Sequence, residues 1–237
     1  MIRYEYRDVE LEYEEFLALE RECFPDVVTS RMLFYRRGAG MYWTARDENG
    51  VLVGFMQARP AGENLHISNM SVAKAHRRRG IATELLRLAE DRARTLGFAR
   101  LELGVLADNA AALGAYLKSG FAQSGPETRR YGFDLPLWYE SRLPEVARME
   151  GVETILFMRE GKCVGDAQLN DALGCRELTL ADPVRDLLGV ISAVAKQMRP
   201  EAQRMYLMSC EANVIAEFEK MEFSPESVHL TLTKELK

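Results

Sequence analysis

The residues best placed by type and spacing to do chemistry fall in one stretch, Met70-Ser71-Val72-Ala73-Lys74-Ala75-His76-Arg77-Arg78-Arg79-Gly80-Ile81-Ala82-Thr83. Alternation before it reads as a strand, and an apolar period of 3.6 after it reads as a long helix, so a basic loop carrying a glycine opens a helix. The first turn of a helix has backbone N–H groups with no partner and the positive end of the dipole, which suits a phosphate. Gly80 and the small Ala82 let the backbone approach a bulky anion, and Arg77, Arg78 and Arg79 add positive charge. The chemistry this predicts is binding of a phosphorylated ligand. Metal and disulfide chemistry find no such pattern. The four cysteines form no C-x-x-C pair, and the three histidines, His66, His76 and His229, have no metal-ligand spacing and read as ordinary polar residues.

The elements that must hold this loop are legible around it. Residues 2–6 alternate as a strand, and a helix containing Leu11, Phe16, Leu17 and Leu19 runs toward Pro25. Ser30 caps a further expected helix. Residues 41–46 and 51–59 read as a hairpin around Asp47-Glu48-Asn49-Gly50, followed by a strand at 66–72. Ala82, Leu85, Leu86, Ala89, Ala93 and Leu96 then share one helical face, and Gly97 ends that helix. A strand at 99–105, a helix capped by Asp108 or Asn109 and ended by Gly120, and strands near Phe121 and 131–135 complete the segment. Residues 155–232 follow a similar order. Val53-Gly54 with Gln57 reappears as Val164-Gly165 with Gln168, and Tyr116 to Phe121 corresponds to Phe218 to Phe223 at an offset of 102 residues. A repeated supersecondary order points to duplication.

At 237 residues the chain has room for one large domain or two small ones. A net charge of −5 argues against general nucleic-acid binding. The strongest apolar run, residues 187–195, is too short to span a membrane, and no signal-peptide core opens the chain. With unpaired cysteines besides, a cytoplasmic protein is expected.

Arg77-x-x-Gly80-x-Ala82 after a strand ending at Val72 resembles the acyl-coenzyme A loop of the GNAT N-acetyltransferases, and Asn109-x-x-Ala112-x-x-x-Tyr116-x-x-x-Gly120-Phe121 resembles the second signature of that family. The resemblance covers about residues 1–137. It implies an α/β fold of two tandem GNAT-like units, each a mixed, largely antiparallel sheet flanked by helices, and transfer of an acetyl group from acetyl-CoA to a primary amine of a small molecule or peptide. It further implies that the backbone of Met70, Ser71 and Val72 meets the pantetheine arm. The amides of Arg78, Arg79, Gly80, Ile81, Ala82 and Thr83 would cradle the pyrophosphate, Asn109 would contact the coenzyme, and Tyr116 would protonate the departing thiolate. Many relatives carry a Glu five residues before the Asn, and here that position is Gly104. Glu102, two residues earlier on the same strand face, is the candidate base, taking a proton from the amine directly or through water. Asn69 could orient such a water.

The expected domains are residues 1–137, catalytic, and 138–237, a degenerate GNAT-like copy. In the second, only Asp182-Pro183 separates strand from helix, so the pyrophosphate loop is missing, and Phe218 stands where the first copy has Tyr116. A monomer is favoured if the second copy fills a dimer surface. The competing reading is a non-catalytic acyl-CoA-binding regulatory module.

Overall fold

In the sheet of the first unit two neighbouring strands are buried on both faces over most of their length, and the next two alternate buried with more exposed side chains. In the computed structural model, which describes residues 1–7, 13–24, 40–134, 145–148, 154–159, 162–168, 177–179 and 204–236, five strands lie side by side. They are β1 (Arg3–Arg7), β2 (Met41–Arg46), β3 (Leu52–Ala61), β4 (Asn64–Val72) and β5 (Arg100–Leu106). β1 to β4 pair antiparallel in sequence order, and β5 joins β4 in parallel. Parallel pairing requires a crossover, and helix α2 (Ile81–Thr95) provides it. The β2–β3 turn is set by Asp47, whose Oδ1 accepts from the amides of Asn49 and Val51.

The two faces of this sheet are covered differently. α2 buries Ile81, Leu85, Leu86, Ala89 and Ala93 against Trp43, Val53, Met56, Leu65, Ile67, Leu101 and Leu103. Leu85 is fully buried, and its replacement by alanine would cost about 2–5 kcal/mol. Gly54 on β3 lets the first residue of α2 seat closely, because a Cβ there would stand 2.9 Å from Ile81 Cγ2. On the other face, α1 (Tyr13–Cys23) packs Phe16 and Leu19 on Leu52 and Phe55, with the Phe16 and Phe55 rings 4.6 Å apart at their centroids.

After β5 come α3 (Ala110–Lys118) and the short β6 (Ala122–Gln123). The Asn109 side chain caps α3 by accepting from the amide of Ala112 at 3.1 Å. The chain divides into two compact units, Met1–Gly125 with Leu230–Lys237, and Pro126–His229. The last strand, β13 (Ser227–Glu235), serves both. Its Leu232 and Thr233 pair with Gln123 and Ala122, and Leu232 and Leu236 join the first core, while residues 227–229 pair with 128–130. The expected junction at 137/138 lies outside the described residues.

Within the second unit, β7 (Thr128–Asp134) pairs antiparallel with β12 (Arg204–Ser209), and β11 (Glu177–Thr179) pairs parallel with β12. Strands β8 (Glu145–Arg148), β9 (Thr154–Arg159) and β10 (Lys162–Gln168) form a separate antiparallel sheet, in which β9 and β10 are the hairpin expected from sequence. Helix α4 (Ala212–Lys220) precedes β13. The helices expected from Ser30 and at 184–198, and the Asp182-Pro183 connection, lie outside the described residues. Among the described residues no helix is long and apolar enough to cross a membrane.

Candidate active site

The site begins where two strands part. β4 and β5 pair only from Asn64 with Arg100 to Ile67 with Leu103, yet β4 runs on to Val72 and β5 to Leu106. A bulge accompanies the parting. Gln57 faces Asn69 and Ala58 faces Ile67, leaving Ser68 as the extra residue on β4. A bulge bends its strand and raises the local twist, which turns the end of β4 away from β5.

Beyond β4, a 3-10 turn (Lys74–His76) leads into the loop that opens α2. Arg78 and Gly80 both take left-handed backbone conformations, with φ of 62° and 80°. At Gly80 there is room for a Cβ but the φ value disfavours one, so its absence of side chain serves backbone shape. Gly80 gives α2 no side-chain cap, and the first intrahelical bond is Glu84 N to Gly80 O at 3.0 Å. The amides of Ile81, Ala82 and Thr83 therefore have no partner within the helix, and with the helix dipole this is an environment that suits an anion.

A cleft of about 820 Å³ connects these parts. Met70, Ser71 and Val72 form one wall, Arg77, Arg78, Gly80, Ile81, Ala82 and Thr83 the head, and Asn109 and Tyr116 the α3 side. Of the residues expected from sequence, Asn69, Arg79 and Glu102 are not in its lining. Arg79 is exposed, and Glu102 lies in the paired part of β4 and β5. There its two oxygens meet His66 Nδ1 at 3.2 Å and Asn64 Nδ2 at 3.1 Å.

Arg77 is engaged by the protein itself. Its Nε donates to the carbonyl of Val72 at 3.0 Å and a terminal nitrogen approaches Cys23 Sγ at 3.7 Å. The amide of Lys74 donates to Glu22 at 2.6 Å, so the end of α1 is tied to the connection between β4 and α2. Tyr116 packs edge-on to Phe121, and burial pushes its phenol up to about 12. It thus keeps its proton throughout the physiological range.

Sequence reasoning missed the polar row on the α1 face. Asn69 donates to Glu20, both buried, and Gln57 donates to the Tyr42 hydroxyl at 3.1 Å. Three carboxylates of α1 each have their own partner, Glu15 paired to Arg46 at 2.6 Å, Glu20 to Asn69 and Glu22 to the Lys74 amide.

A strand end, an uncapped helix start and a phenol thus surround one cleft, and residues 9–121 match the acetyltransferase (GNAT) family. That stretch lies within the first unit, and the chain as a whole has the fold of tandem GNAT proteins. Over its whole length it shares its fold with a tandem GNAT protein from the clavulanic acid biosynthesis pathway, with a TM-score of 0.74 and 14% identity over 100% of this chain and 99% of that one. A GCN5-related N-acetyltransferase from Sphaerobacter thermophilus gives the same TM-score of 0.74 at 11% identity, over 99% and 96%. In sequence, 91 residues are 39% identical to a streptothricin acetyltransferase of Streptomyces lavendulae, covering 38% of this chain and 48% of that protein. The chain thus spans about half the length of that relative.

Proposed function

We propose that the protein moves the acetyl group of acetyl-CoA to a primary amine, in a ternary complex formed in the cleft of the first unit. The observation that carries this reading is the joining of the uncapped start of α2 and the Tyr116 phenol in one cleft. The amides of Ile81, Ala82 and Thr83, with the loop at Arg78 and Gly80, would hold the pyrophosphate. The end of β4 at Met70, Ser71 and Val72, no longer paired with β5, would hold the pantetheine arm and polarise the carbonyl through a backbone amide. Acetyl-CoA supplies a thioester-activated acetyl group. Tyr116 faces the departing sulfur as a neutral donor. With burial holding its pKa near 12, it stabilises the developing thiolate by a hydrogen bond and passes the proton only as the C–S bond breaks.

The resemblance to a streptothricin acetyltransferase makes a cationic small-molecule amine the first acceptor to try. The second unit is read as a degenerate copy that binds no coenzyme, because its sequence has only Asp182-Pro183 in place of the basic glycine loop, and that transfers no acetyl group, because Phe218 is fully buried and has no proton to give. The test is a panel of streptothricin, spermidine and an alanine-ended peptide, read by release of coenzyme A thiol. Amine-dependent release supports transfer. Acetyl-CoA binding with no release for any amine would favour the regulatory module.

A further inference from the structure

Glu102 and His66 form a pair that the cleft alone does not explain. They sit side by side in the parallel register of β4 and β5, and Glu102 Oε1 lies 3.2 Å from His66 Nδ1. The other carboxylate oxygen accepts from Asn64 Nδ2 at 3.1 Å, so the carboxylate is held at both ends. A carboxylate on Nδ1 makes that nitrogen the donor and leaves Nε2 as the acceptor of a neutral imidazole. The two side chains keep 27% and 29% of their exposure, so the pair is neither a solvated surface contact nor a sealed core one.

The bulge determines where this pair lies relative to the cleft. Leu65 and Ile67 point into the α2 core, so His66 points to the opposite face. Without the extra residue at Ser68, Asn69 would turn back toward α2. With it, Asn69 stands on the His66 face and bonds Glu20 of α1, and Ser71, a cleft residue, follows on that face. His66 is also one residue before the pairing with β5 stops. Counted on β3, where Arg59 faces His66 and Met56 faces Met70, its separation from Met70 is three residues, roughly 10 Å at about 3.3 Å per residue.

We infer that His66, held in one tautomer by Glu102, takes the proton of the attacking amine, directly or through one water. The inference rests on the acetyl-transfer reading and names its base. As the amine nitrogen forms its bond to the acetyl carbon, its N–H proton passes to His66 Nε2, and Glu102 stands beside the imidazolium. The C–S bond breaks, Tyr116 gives a proton to the sulfur, and solvent carries the proton from His66 back to Tyr116. The products are the amide and coenzyme A thiol. Glu102 is then a positioning residue rather than the base itself. Among the described residues of the neighbouring strands, the other charges near His66 are Arg59, opposite it on β3, and Arg100 on β5, which pairs with Glu235.

Two readouts on the full chain test this. Nitrogen-15 spectra of histidine-labelled protein should show His66 as the Nδ1–H tautomer, assigned against His66→Gln among three histidines, and Glu102→Ala, which removes the acceptor, should abolish that preference. Kinetics should use whichever of streptothricin, spermidine or an alanine-ended peptide the wild type acetylates fastest. His66→Ala should lower turnover about 100-fold while acetyl-CoA affinity holds, and added imidazole should restore part of the rate. Glu102→Gln should lower it about tenfold, without rescue. An Nε2–H tautomer in the wild type, or a His66→Ala enzyme at wild-type turnover, would overturn the inference. A wild type that acetylates none of the three amines would instead count against the proposed function, and the spectra would still decide the pair.

Discussion

Helices α3 and α4 end in the same way, 102 residues apart. In α3, the amide of Phe121 bonds the carbonyl of Tyr116 at 3.1 Å and Gly120 bonds Leu117 at 3.1 Å. In α4, Phe223 bonds Phe218 at 3.0 Å and Glu222 bonds Glu219 at 3.0 Å. The ring pairs also match, 5.9 Å and 60° for Tyr116 with Phe121, 5.8 Å and 68° for Phe218 with Phe223. The surroundings do not match. Tyr116 lines a cleft, whereas Phe218 is fully buried and stacks on Tyr131 at 4.4 Å. The two helices thus share a cap and differ in what the aromatic residue faces, so a common scaffold does not imply a common site.

The largest expected effect comes from the anion seat proposed at the start of α2. Gly80→Asp places a side chain at φ 80° and a carboxylate on the helix start, and should weaken acetyl-CoA binding at least about 100-fold. Unchanged affinity by calorimetry would break the contrast between the units. Next, Tyr116→Phe makes α3 resemble α4. Turnover should fall about 100-fold with coenzyme affinity unchanged, measured by single-turnover acetyl transfer. The same variant sharpens the burial argument. A phenol raised from 10 to about 12 in the fold is stabilising below pH 10, and that contribution is lost as pH rises to 12. Denaturant titrations should show this alkaline loss shrinking in Tyr116→Phe.

A smaller effect is expected from the reverse exchange. Phe218→Tyr places a hydroxyl in a fully buried stack and should destabilise by about 1–3 kcal/mol by chemical denaturation. It should add no activity, and a gain in turnover would contradict the separation of roles. The smallest effect lies at the caps. Glu222 holds φ 62° where the α3 cap has Gly120 at 86°, so Glu222→Gly should stabilise by about 0.5–1 kcal/mol. A lowered melting temperature would mean that the Glu222 side chain contributes more than its backbone conformation costs.

Much of this was legible in the sequence because it is local. The apolar face of α2, the Asn109 cap, the hairpin at Asp47 and the basic loop all depend on residues within a turn or two of each other. What was not legible depends on register. His66 meets Glu102 only because a crossover helix brings β5 into parallel pairing with β4, and Asn69 meets Glu20 from 49 residues away. The bulge at Ser68, which puts Asn69 on that face, leaves no mark in the alternation of β4. The return of residues 230–237 to the first unit was equally hidden, because the final strand reads the same whichever neighbour it pairs with. Arg77 shows a subtler limit. Its charge pointed to the ligand, but its guanidinium binds the Val72 carbonyl, and composition cannot separate those uses.

The central claim is that one cleft, in the first unit, binds acetyl-CoA. Calorimetric titration of the full chain with acetyl-CoA tests it most directly, together with the same titration of Arg78→Glu. The account predicts a single binding event per chain that the substitution abolishes. Two equivalent sites per chain, or binding that survives Arg78→Glu undiminished, would contradict it.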